Sequence, residues 1–170
     1  FHRSERRALQ RDAAYLCSDQ LMDNAQAIAV FERIFAEDSG DEIALSSVSR
    51  FARLLEEVGR QTDVVSLWED QAQVRLRLGD RPTSAALWVR AASLAEEWLL
   101  DTDRAIADYK QGADLGLDAA LEALARIYTG QREYLLAANF LERLCAQSSR
   151  EALSDRALQL AAVYVAAMRP

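Results

Sequence analysis

The sequence predicts an all-α protein, an α-solenoid of antiparallel helical hairpins. Three observations carry that prediction. Alanine and leucine, both strong helix formers, supply 31 and 24 of the 170 residues. The 6 glycines and 2 prolines are too few for the tight turns of a strand-rich fold. The chain also resembles itself at a fixed displacement, which is the mark of stacked repeats.

Displaced by 78 positions, residues 4–36 lie over 82–114 with 10 identities. Among them are Ala8/Ala86, Leu9/Leu87, Ala13/Ala91, Leu16/Leu94, Leu21/Leu99 and Asp23/Asp101. Ala27-Ile28-Ala29 falls over Ala105-Ile106-Ala107, and Phe31 over Tyr109. A displacement of 73 sets Phe51–Leu55 over Leu124–Tyr128, and one of 66 sets Ala86-Leu87 over Ala152-Leu153. The expectation is two full units and the first helix of a third. A start without Met and an end within a unit point to a fragment of a longer array. A terminal capping helix is the alternative.

The elements follow in order from apolar periodicity and caps. Leu9, Ala13, Leu16 and Gln20 set a helix over 4–20, and Asp23 opens the next over 24–37. Ser39 with Glu42 reads as a capping box before 41–58, where Val48, Phe51, Leu55 and Val58 keep the helical spacing. Helices over 62–78 and 83–99 follow, the latter after Pro82, which suits a first helical turn. Asp101 opens 102–114, then come 118–129 and 132–147, and a second box, Ser148 with Glu151, opens 150–168. Gly40, Gly59, Gly79, Gly116 and Gly130 fall between the periodic runs, where a left-handed backbone is needed. Short connections make neighbours antiparallel. The chain thus reads as a single repeat domain over 1–170, with hairpins 4–37, 41–78, 83–114 and 118–147 before the last helix.

These hairpins resemble tetratricopeptide repeats. In that pattern residues 45–78 fit best, with Ala52, Leu55, Gly59, Val64 and Trp68 at signature positions and Gln71 where Ala is usual. Residues 85–116 match through Trp88, Ala92, Ala105, Tyr109 and Gly112, with Leu100 where glycine is expected. Leu124, Ala125, Tyr128, Gly130 and Tyr134 carry the next unit, and Ala14, Cys17, Ala27 and Phe31 the first. The irregular style is similar to large repeat proteins of high-GC bacteria. The resemblance implies close helix packing at the small residues, with Trp68, Trp88 and Tyr109 as core.

Chemistry is scarce. The lone histidine, His2, leaves no triad or His-ligated zinc site inside the fold. No phosphate-binding glycine loop occurs. Cys17 and Cys145 lie 128 positions apart and read as small buried thiols. Glu56-Glu57, Glu96-Glu97, Asp101 and Asp103 read as solvated faces and helix starts. The basic start (Arg3, Arg6, Arg7, Arg11) likewise reads as a solvated helix face. No catalysis and no cofactor are expected. A net charge of −7 argues against nucleic acid, and no apolar run approaches the length of a membrane span. A cytoplasmic location is the expectation.

In the resembled family the first helix of each hairpin lines a concave partner-binding face. Carried over, that face offers Arg11 and Tyr15, then Ser49, Arg53 and Glu56, then Ser93 and Glu96, then Glu122 and Arg126. Ser18, Ser46 and Val89 belong to the same face, and the last helix adds Asp155 and Gln159. The resemblance implies a non-catalytic scaffold that holds a protein or peptide of both charge signs. A structural spacer, or self-association through exposed solenoid ends, is the alternative.

Overall fold

The computed structural model describes residues 3–149 and 152–168; His2 and Glu151 lie outside them. The described residues form nine α-helices and no strand. They are α1 (Arg3–Asp19), α2 (Asn24–Glu37), α3 (Glu42–Glu57), α4 (Gln61–Arg77) and α5 (Arg81–Glu97). Then come α6 (Thr102–Asp114), α7 (Asp118–Gly130), α8 (Tyr134–Ala146) and α9 (Leu153–Ala167). Each helix packs on the next in sequence, as an α-solenoid requires. α1 and α5 are both 17 residues long, and their starts at Arg3 and Arg81 reproduce the 78-residue displacement.

The repeat extends to hydrogen bonds. After α1, Met22 has φ 54° and the Asp23 N–H reaches back to the Cys17 carbonyl at 2.9 Å. After α5, Leu100 has φ 54° and the Asp101 N–H reaches the Ala95 carbonyl at 3.0 Å. Each aspartate then caps the following helix, accepting from Gln26 N at 2.9 Å and Arg104 N at 3.0 Å. The other left-handed residues are Gly59, Gly79, Gly116 and Arg132. Every turn from α1 to α8 except α2–α3 therefore carries a left-handed residue. Two expectations are corrected. Gly40 and Gly130 do not have positive φ: Gly130 ends α7, and Arg132 takes the left-handed position.

The α2–α3 turn is closed from outside. Arg7, fully buried, donates to the carbonyls of Ile34 and Asp38 at 2.8 Å each and lies 2.9 Å from the Asp41 carboxylate. Gln71, also buried, donates to the Ser39 carbonyl at 3.3 Å. Arg7 is thus no solvated cation, contrary to the sequence reading: it adds short charged bonds to carbonyls whose backbone donors, Asp38 N at 3.3 Å and Asp41 N at 3.5 Å, are distant. Arg6 and Arg11 do stay at the surface, paired with Glu37 and Asp12. The capping boxes are corrected too. Asp41, adjacent to the helix, caps α3 through Ile43 N at 2.8 Å, so Ser39 lies too far upstream. The Ser148 hydroxyl donates to the Leu144 carbonyl, and α9 has no side-chain cap.

Small residues set the core. Ala91, Ala92, Ala95, Ala105 and Gly112 are buried where α5 meets its neighbours. A Cβ on Gly112 would sit 3.0 Å from Val89 and 3.2 Å from Ala120, so α5, α6 and α7 meet around a missing methyl. Phe31 stacks on Phe51 with ring centres 5.6 Å apart, and Tyr128 on Phe140 at 5.7 Å. Trp68, Trp88 and Tyr109 are buried as expected. α1 departs from expectation. Leu9, Ala13 and Leu16 are exposed, and its core face is Arg7, Ala14 and Ser18. The equivalent Leu87, Ala91 and Leu94 are covered in α5, which has α4 behind it.

One inter-hairpin joint holds a titrating group. Arg104 on α6 grips Glu69 on α4 with two hydrogen bonds, 2.6 and 2.7 Å, and reaches Ser66 at 2.9 Å. Asp108 is buried beside them with one carboxylate oxygen unpartnered. Burial, then the Glu69 charge, push its pKa up to about 7 against the opposing pull of Arg104.

Two predictions follow from these buried groups. Arg7→Ala leaves the Ile34 and Asp38 carbonyls with only long backbone bonds and Asp41 without its cation, and should cost about 2 kcal/mol in urea unfolding. For Asp108, the unfolded chain releases its proton near 3.8 and the folded chain near 7. Stability is therefore lost as pH rises through that window. Asp108→Asn should gain on the native chain by an amount that grows from pH 4 to 7, to of order 2 kcal/mol, and then levels. A pH-independent difference would show that the carboxyl titrates normally.

Candidate functional site

Antiparallel hairpins sort the helices into two layers, and ion pairs at about the repeat period tie each layer. In the odd-numbered layer, Arg50 on α3 pairs with Asp19 and donates to Ser18 at 2.8 Å on α1. Arg126 on α7 grips Glu96 on α5 with two bonds, 2.8 and 2.7 Å. Arg156 on α9 meets Asp118 at 2.9 Å and Glu122 at 3.1 Å on α7. In the even-numbered layer Arg60, Arg104 and Arg143 reach Glu32, Glu69 and Asp114. Among the described residues, no ion pair or side-chain hydrogen bond joins α3 to α5.

One opening lies against the odd-numbered layer. A groove of about 640 Å³ runs between α7 and α9. Leu141, Val163 and Ala125 contribute apolar lining, and Glu122, Arg126, Asp155, Arg156 and Gln159 contribute polar groups. It can take an apolar side chain while offering both charge signs to the flanking backbone.

The residues expected on the partner face lie on odd-numbered helices but not in one state. Glu96 and Arg126 are brought together, and that pairing holds the Glu96 carboxyl below its usual range. Ser93 shares a hydrogen bond with the buried Tyr109 hydroxyl at 3.1 Å, and Tyr109 donates to Glu96 at 3.4 Å. Glu122 meets Arg156. Tyr15 packs its ring 5.9 Å from Phe31, with Arg50 over it at 5.8 Å. Arg11 bonds to its neighbour Asp12, and Arg53 pairs along its own helix with Glu57 at 3.5 Å. Ser49 is exposed, and Glu56 lines a second opening with Gln61 and Trp98.

Arg156, Arg50 and Asp118 were not singled out from sequence. Arg156 had a signal: at the displacement of 66 it lies under Arg90, which covers Trp68 at 4.0 Å. Both cysteines are free and half-buried. Among the described residues no cluster of three His, Cys, Asp or Glu could hold a metal ion, and no helix is long and apolar enough to cross a membrane.

Comparison with known proteins agrees with this geometry. No family model and no curated protein matches the chain. Among solved structures, the chain is similar to crystal structures of TPR-like repeats from a putative kinesin light chain of Podosopora anserina. A point variant of that protein superposes with TM-score 0.54 at 19% identity, over 98% of this chain and 89% of the other. The parent structure gives 0.49 at 16% identity over 100% of both. At that identity the likeness speaks to fold alone: the chain is a TPR-like helical-repeat solenoid.

Proposed function

We propose that this protein is a non-catalytic interaction scaffold that holds a peptide or partner protein on its odd-numbered, concave layer. The carrying observation is the α7–α9 groove. There two predicted partner-facing residues, Glu122 and Arg126, meet Asp155, Arg156 and Gln159 around an apolar lining. An apolar anchor side chain enters the groove, and charged side chains beside it replace part of the Arg156–Glu122 pairing. Recognition of this kind needs no cofactor or metal. The scaffold acts in the cytoplasm, in keeping with its two free thiols.

A second reading rests on a separate observation. Leu9 and Leu16 are exposed on α1 at the positions where Leu87 and Leu94 pack in α5. That apolar stripe suits a spacer segment that stacks on a further repeat or on a second copy.

The groove is tested by filling it. Ala162 lines it and is exposed, so Ala162→Trp occupies the space without entering the core. Combined with Arg126→Ala, it should remove partners that the native chain retains from a lysate of the source organism. The exposed ion pair contributes only about 0–1 kcal/mol, so the melting temperature should fall by only a few degrees. Retention of the same partners by the filled variant would refute the groove.

A further inference from the structure

The edge of the solenoid formed by the α1–α2, α3–α4 and α5–α6 turns carries an arrangement that packing does not explain. Met22 and Leu100 occupy equivalent turns, both left-handed, where glycine is the ordinary residue. Neither gains burial for that strain: they are 81% and 82% exposed. Leu21 projects beside Met22, and Val58 and Trp98 are also exposed. The three turns are contiguous. Asn24 at the first donates to Glu57 at the second at 3.1 Å, and Glu56 beside it lines an opening of about 400 Å³ with Trp98 at the third.

The rim of this edge is acidic. Among the described residues Glu56, Glu97 and Asp103 form no ion pair, the capping carboxylates of Asp23 and Asp101 add to the field, and the cation of the middle turn, Arg60, is held by Glu32 and Asp63. An anionic lipid surface or nucleic acid would be repelled, and the chain as a whole carries −7. The two apolar clusters, Leu21-Met22 and Trp98-Leu100, sit two hairpins apart on the same edge. At roughly 10 Å per packed helix layer they are about 20 Å apart, the length of an α-helix of about 14 residues.

We propose that this edge is a second docking surface, distinct from the α7–α9 groove, for a basic amphipathic helix. Its apolar face lies on Met22, Val58, Trp98 and Leu100, and its Lys and Arg side chains meet the acidic rim. The repeat places the two anchors at matching positions, so one regularly spaced helix engages both.

Glycine adopts the left-handed backbone freely, so Met22→Gly with Leu100→Gly removes both anchors while relieving strain. The ligand is a synthetic helix of about 18 residues with leucine on one face and lysine on the other. Trp68 and Trp88 are buried, so a blue shift of tryptophan fluorescence reports Trp98. The native chain should bind this peptide with Trp98 shifted. The double glycine variant should melt no lower than native and bind roughly tenfold more weakly, or worse. Ala162→Phe with Arg126→Ala, which fills the groove without adding a tryptophan, should bind as native does. Four results would overturn the proposal: no binding, equal binding by the glycine variant, equal binding of a leucine–glutamate peptide, or a Trp98 shift only with phosphatidylglycerol vesicles. Self-association that the glycine variant abolishes would instead assign the edge to a second copy.

Discussion

No hairpin of this chain can cover its own apolar face, and that constraint organises the molecule. Each helix must present one surface to the helix before it and another to the helix after it. Approach on both sides requires small side chains, which is why alanine is the commonest residue. The tightest case is Gly112, where α6 carries no methyl because Val89 and Ala120 already fill the space. At α1, the first of the described helices, the same pattern leaves Leu9 and Leu16 exposed.

Stacking also determines where polar groups can act. Side chains about one repeat apart come into register along each layer, and opposite charges there find one another. Glu96–Arg126 and Glu69–Arg104 are the outcome, and each ties neighbouring hairpins. Groups engaged in that way are partly withdrawn from partners. The α7–α9 groove and the edge formed by turns are among the surfaces that stay open.

The helices, their antiparallel pairing and the 78-residue repeat were legible because periodicity and caps are local signals. So were the buried Trp68, Trp88 and Tyr109, whose positions follow from the repeat. Arg7 was not legible. Its neighbours in sequence are charged, and its partners, Ile34, Asp38 and Asp41, belong to a turn about thirty residues away. Gln71 stood out as a departure from the repeat pattern, but its bond to Ser39 needed the fold to be seen. For the residues expected to face a partner, the helix that carries each was legible. Engagement was not: whether Arg126 is free or held depends on the register of α5 against α7. Leu100 was visible as a residue in a glycine position, and the structure supplies its left-handed backbone.

The central claim, that each hairpin is stable only through its neighbours, is tested most directly by native-state hydrogen exchange resolved by helix. The account predicts the slowest amides in α4, α5 and α6, which are packed on both sides, with α1 and α9 opening at distinctly lower free energy. Equal protection of α1, α5 and α9, rising and falling together with denaturant, would instead mean one indivisible core and would contradict the account.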